Sequence, residues 1–199
     1  MSLAAICNYF IQNWLEITGA VTALVSIWLT TKRKTICWPI GIISDLAYLV
    51  ISFQAHLFSF ALLLIGGLPL NFYGWWYWER GVREEGDVRV VPLPLPKLLI
   101  GVAAGAMGGL ALGAGMNHYH ASLPYLDAVL TSYSVLGGWW QARKHIANWW
   151  LWIVVDVVYV GEFLCANLLL TALLYAAFVA LAVLGLRDWR RAAATQIAA

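Results

Sequence analysis

A displacement of 111 residues, the step from Trp28 to Trp139, lays this chain on itself without a gap. Trp38 falls on Trp149, Asp45 on Asp156, Tyr48 on Tyr159, Gly74 on Gly185, Trp78 on Trp189 and Arg80 on Arg191. Matches of rare residue types sustained over residues 16–80 and 127–191 mark two copies of one unit. Each copy is mostly apolar and one further apolar segment separates them, so the duplication reads as a transporter built from parallel repeats.

With 62% hydrophobic and 11% charged residues in 199 and a mean hydropathy of +0.76, the chain cannot hide its apolar surface in a soluble core of this size, and belongs in a lipid bilayer. Apolar runs of spanning length occur near 13–31, 37–55, 58–78, 98–116, 124–142, 148–165 and 167–186. The predicted fold is an all-α integral membrane protein of seven transmembrane helices in a 3+1+3 arrangement. Three spans reverse the side of the membrane, so two copies are parallel only if an extra helix returns the chain, and 98–116 supplies it. The expected organisation is a first three-helix repeat at 13–80, a linker with the linking helix and outer loop at 81–123, and a second repeat at 124–191.

The charges test this count. Alternating sides through seven spans gathers all 12 Lys and Arg on one face, at 32–34, 80–97, 143–144 and 187–191. The positive-inside rule makes that face cytoplasmic, with the N-terminus outside and the C-terminus inside. A net charge of +2 is too small to argue for nucleic acid. Met1–Phe10 carries no basic n-region, so the first apolar segment is expected to be retained. Cys7, Cys37 and Cys165 have no pairing or zinc spacing, and His118 and His120 lack further ligands beyond Asp127, so no metal or cofactor is expected. No catalytic motif is present. In the linking segment Gly101, Gly105, Gly109 and Gly113 form a small-residue face for close packing. Trp28, Trp75, Trp76, Trp78, Trp139, Trp140 and Trp189 read as an interfacial belt.

Asp45 and Asp156 need more explanation. A carboxylate at the bilayer centre costs about 2.5–3.5 kcal/mol on insertion scales. Trp149, Trp152, Asp156 and Tyr159 form one helical stripe, matched in the first copy by Trp38, Gly41, Asp45 and Tyr48. Two stripes facing each other across the repeat axis would line a solute route at mid-depth. Each Asp either contacts solute or a proton there, or staples two helices by a hydrogen bond; the sequence leaves both open. Asn71, Asn148, Thr22, Ser26, Tyr133, Ser134 and Tyr175 could add polar contacts. The copies differ where Gly41 meets Trp152 and Asn71 meets Ala182, which gives an asymmetric, planar solute a flat ring on one side. A cationic ring would gain a further 0.5–2 kcal/mol or so from Trp152. Pro39, Pro69 and Pro124 are candidate bending points.

Residues Tyr73–Trp78, the turn Arg143-Lys144-His145, and Asn148–Trp152 followed by Asp156 and Tyr159 resemble the PnuC-type nicotinamide riboside transporters. The resemblance covers nearly the whole chain. It implies a fold like that of full-length SWEET sugar carriers, in a bacterial inner membrane. It also implies facilitated diffusion of nicotinamide riboside by alternating access, with trapping by a cytoplasmic kinase. The substrate contacts expected on this basis are Trp38, Asp45, Tyr48, Asn71, Asn148, Trp149, Trp152, Asp156 and Tyr159. Members of the family also carry thiamine and riboflavin, and thiamine is likewise a planar cation, so these remain alternatives. A membrane scaffold with purely structural Asp residues is the reading from another class.

Overall fold

The computed structural model describes residues 13–54, 58–118, 124–165 and 167–198; Met1–Phe10, Cys7 and His120 lie outside them. Seven helices follow one another: α1 Trp14–Thr31, α2 Cys37–Gln54, α3 Phe58–Glu85, α4 Leu95–His118, α5 Pro124–Ala142, α6 Ala147–Cys165 and α7 Leu169–Ala198. Among the described residues α1, α2, α4, α6 and α7 are long and apolar enough to cross a membrane on length and composition alone. The other two, α3 and α5, carry Asn71 and the run Ser132-Tyr133-Ser134, and they pack on each other where the two copies meet.

The architecture is the expected 3+1+3. α1 packs on α2 and α7, α2 on α3, α3 on α5, α5 on α6 and α6 on α7, which closes a ring of six helices with the three of one copy followed by the three of the other. α4 straps α5 from outside. Its glycines permit this: a Cβ at Gly101, Gly105, Gly109 or Gly113 would run into Trp140, Tyr133, Val129 or Tyr125 of α5. The contact is sealed by hydrogen bonds from Ser132 Oγ to the Gly105 carbonyl (2.9 Å) and from the Tyr133 hydroxyl to the Val102 carbonyl (3.0 Å). Tyr133 is therefore spent on the strap, not on a solute route.

The turns between first and second helices are also duplicated. Lys34 N–H reaches the Leu29 carbonyl and Arg33 N–H the Thr30 carbonyl; His145 and Lys144 repeat this with Trp140 and Gln141. These are Schellman closures, which need a left-handed residue, and Arg33 (φ 58) and Lys144 (φ 63) take that place in the two copies. α3 runs on past Trp78 because nothing breaks it before Gly86, whose φ of 77 ends it. Part of the stretch expected to be linker is thus helix, and Pro96 sits in the first turn of α4, where a missing N–H costs nothing. Of the three candidate bending prolines, only Pro69 lies inside a helix. Pro39 and Pro124 stand in first turns.

The remaining linker lies across the end of the bundle that carries the basic residues. Val91 pairs with the α5–α6 turn through N–H to the Lys144 carbonyl (2.9 Å) and its own carbonyl to Ile146 N–H (3.1 Å). Val88 and Val90 are buried in the core cluster with Trp38, Trp78, Trp149 and Trp189.

Candidate functional site

Trp38, Trp78, Trp189 and Trp149 form a continuous row at the basic end. Trp38 meets Trp78 edge-on at 5.4 Å, Trp78 meets Trp189 at 5.8 Å and Trp189 meets Trp149 edge-on at 5.3 Å. The row crosses from one copy to the other. Trp78 donates to the Ala142 carbonyl (3.1 Å) and Trp189 to the Thr30 carbonyl (3.0 Å), so each copy caps the end of the other's first helix. Gly74 and Gly185 make room: a Cβ on either would overlap the Trp38 or Trp149 ring. Trp78 and Trp189 are 0% exposed and Trp140 is buried too, so these three do not belong to the interfacial belt expected from sequence; Trp28, Trp76 and Trp139 are exposed and Trp75 is half-buried. The repeat alone does not sort them: Trp28 and Trp139 match across the copies and are exposed, whereas buried Trp140 has Leu29 as its counterpart.

Trp38, Trp149 and Asn148 thus lie at the closed basic end. Asn148 is fully buried, and its amide donates to the His145 carbonyl (2.6 Å) across the turn. Its Oδ1 and the indole N–H groups of Trp38 and Trp149 are buried without a partner among the described residues.

The two aspartates sit seven residues further along, from Trp38 to Asp45 and from Trp149 to Asp156, about 10 Å of helix. That is the middle of α2 and of α6. Both point away from the lipid: on α6 the exposed residues Trp150, Val154, Val157 and Leu164 form one stripe, and Asp156, 6% exposed, lies off it. Here the copies part. Asn71 of α3 donates through Nδ2 to Asp45 Oδ2, while its counterpart Ala182 has nothing to donate. Among the described residues no group hydrogen-bonds the Asp156 carboxylate.

Around Asp156 the second copy is aromatic. Tyr159 contacts Tyr175 at 5.0 Å and stacks on Phe163 at 5.9 Å, and Tyr175 contacts Phe163 at 5.0 Å. Tyr175 lies within electrostatic reach of Asp156, Tyr159 and Glu162, and of Tyr48 from the first copy, so α2 and α7 face each other across the ring. Tyr48 rests on α1 at Gly19, where a Cβ would stand 3.1 Å from its ring. Trp152, a turn from Asp156, packs on Gly137 and donates to Gln141 Oε1 (3.2 Å), which fixes the plane of its ring. Gln141 is a partner the sequence did not single out. Among the flanking hydroxyls, Thr22 and Ser134 bond carbonyls of their own helices, and Ser26 bonds the Cys37 carbonyl (2.8 Å), so these are already occupied.

At the basic end burial pushes the His145 imidazole and the Lys144 amine below their usual values. Lys32 pairs with Asp188 and Arg33 with Asp87, both at 2.7 Å, and Arg143 donates to the Tyr73 hydroxyl (2.9 Å).

The family model for the nicotinamide mononucleotide transporter matches residues 13–191. The chain belongs to that family. It is a multi-pass membrane transporter, not an enzyme. Similar proteins include the nicotinamide riboside transporter PnuC of Escherichia coli, 27% identical over 203 residues that cover 89% of this chain and 85% of that protein. The riboflavin/roseoflavin transporter RibM of Streptomyces davaonensis is 27% identical over 180 residues, 88% of this chain and 84% of that one. A crystal structure of the vitamin B3 transporter PnuC superposes with a TM-score of 0.80 at 23% identity, over 96% of this chain and 87% of that chain, which establishes the shared fold.

Proposed function

We propose that the protein takes up nicotinamide riboside by facilitated diffusion, and that the second copy supplies most of the binding chemistry. The observation that carries this is the Asp156 carboxylate, held inside the bundle without a hydrogen-bond partner among the described residues. An uncompensated carboxylate in a low-dielectric interior favours a cation. A pyridinium ring supplies that charge in a flat shape that Trp152 and Tyr159 can face, while ribose hydroxyls suit Asn71 and the tyrosine hydroxyls. Trp38, Asn148 and Trp149 would then serve the gate instead of the ring itself, and Asp45 and Tyr48 the opposite wall.

The positive-inside rule makes the basic end cytoplasmic in an inner membrane, with the N-terminus outside. Among the described residues the hydrogen bonds that cross between copies, namely Trp78 to Ala142, Trp189 to Thr30, Lys32 to Asp188 and Arg143 to Tyr73, lie at that end, which supports reading this conformation as closed to the cytoplasm. Two buried indole N–H groups without partners, each costing about 1–3 kcal/mol, keep the closed seal shallow enough to open. Rocking of residues 13–78 against 124–186 about this row would give alternating access. A cytoplasmic kinase would trap the product, because a phosphorylated nucleoside is poorly matched to an acidic aromatic site.

A second reading, uptake of riboflavin, is favoured by the similarity to RibM. Uptake of labelled nicotinamide riboside, riboflavin and thiamine into proteoliposomes, with and without a pH gradient, tests both. Saturable entry of nicotinamide riboside that is indifferent to the gradient is expected. Entry of riboflavin alone would replace the first reading by the second, and entry of none would sink both.

A further inference from the structure

The basic end carries two surface pockets that are images of each other under the repeat. One, of about 280 Å³, is lined by Lys32, Arg33, Asp188 and Arg191. The other, of about 490 Å³, is lined by the counterparts Arg143, Lys144, Tyr77 and Arg80, with Tyr73 and Trp76 beside them. A carboxylate in the first is thus a phenol ring in the second. Lys32 and Arg33 each have an acid at 2.7 Å. Among the described residues Arg143 and Lys144 have no such ion pair. They converge instead on one ring, with Arg143 at 5.0 Å and Lys144 at 4.9 Å from the centre of Tyr77, and Arg143 is also 5.8 Å from Trp139.

The acids that do line this pocket are engaged elsewhere: Glu84 holds Arg80 (2.7 Å) and Glu85 holds Arg89 (3.3 Å). Lys144 is only 7% exposed, and its left-handed backbone would be less strained as glycine. Its twin Arg33 offsets the same strain with bonds to Asp87 and the Val88 carbonyl. Lys144 has no corresponding bond among the described residues, so its ammonium is left with N–H donors to offer a partner that is not part of the chain.

We propose that this pocket binds a phosphate group, with Arg143 and Lys144 sharing its oxygens and Tyr77 as the floor. A phosphate has the oxygens to span a guanidinium fork and an ammonium together, and its charge replaces the carboxylate the twin pocket contains. Trp76 in the lining and Trp139, which stacks on the lining residue Tyr73, are both exposed, and set the pocket at the level of lipid headgroups. The phosphate can therefore be that of an anionic lipid or of a small soluble ester.

The test uses the full chain in nanodiscs. In one arm phosphatidylglycerol replaces part of a phosphatidylcholine bilayer; in the other, glycerol 3-phosphate is titrated into pure phosphatidylcholine discs. Tryptophan fluorescence and thermal midpoint are read in both. A saturable response in the first arm alone assigns the site to lipid, and one in the second arm to a soluble ester. The double variant R143Q/K144Q is expected to weaken the response about tenfold or more, whereas K32Q/R33Q leaves it in place. Tyr77→Asp restores the twin's carboxylate and guards against misfolding of the double variant; it should abolish the response while preserving or raising the midpoint. No response in either arm, a response that survives R143Q/K144Q or Tyr77→Asp, or one lost equally in K32Q/R33Q overturns the proposal.

Discussion

The two copies agree in the tryptophan row at the basic end and disagree around the mid-helix aspartates. Trp38, Gly74 and Trp78 have faithful counterparts in Trp149, Gly185 and Trp189, and together these build the seal. Asp45 and Asp156 are equally faithful as residues yet differ in circumstance, because Asn71 tethers the first and Ala182 leaves the second alone. A hinge shared by two halves benefits from symmetry, since both must fit one row of rings. An asymmetric solute does not. The comparison teaches that a duplicated carboxylate can be stapled in one copy and left without a hydrogen-bond partner among the described residues in the other, with the choice made by a single neighbour on the next helix.

The largest effect that would break this contrast is expected at Asp156. Asp156→Ala should lower nicotinamide riboside uptake into proteoliposomes about a hundredfold, the scale of losing a charged partner for a cation, while Asp45→Ala lowers it far less. Equal losses at both positions would erase the distinction between staple and ligand. Transplanting the tether sharpens it: Ala182→Asn should occupy Asp156 and cut uptake about tenfold, with the protein still folded by size-exclusion chromatography. Next comes Asn71→Ala, which should cost roughly 1–3 kcal/mol in thermal unfolding by leaving Asp45 buried and unpaired, with a smaller change in ligand affinity.

The smallest expected effect is a pH dependence at the seal. His145 has a lowered pKa in the folded protein, so between that value and the ordinary one near 6.5 the unfolded chain binds more protons. Stability is then full above about pH 6.5 and falls as the medium is acidified through that window. A melting series across it should show the decline, and His145→Gln, without a titrating ring, should flatten it. Lys34 holds the matching place in the first copy, and Lys34→Gln, which keeps His145, should leave the slope in place.

Helix number and order were legible because a bilayer imposes length and apolarity on every span, and because the repeat had to yield parity between the copies; the ends of α3 and α7 were not, since both helices run on past their apolar stretch to Glu85 and Ala198. The glycine face of α4 was legible for a similar reason: only close packing explains four glycines in step, and each meets a bulky residue of α5. The sites were less so. Trp78, Trp140 and Trp189 read as lipid-facing because sequence cannot separate a ring at the interface from one buried at the same depth. Trp149 shares a stripe with Asp156, and the stripe gave direction around the helix but not position along the solute route. The Asn71–Asp45 bond depends on two side chains meeting across helices, which a one-dimensional pattern does not encode.

Val88 and Val90 belong to neither copy, yet they lie buried among the four tryptophans with the linker pinned at Val91. A stretch that began as the join between two duplicated genes has become a stopper in the mouth they form. The plug is thus tied to both halves at once, joined covalently to α3 of one copy and hydrogen-bonded through Val91 to the α5–α6 turn of the other.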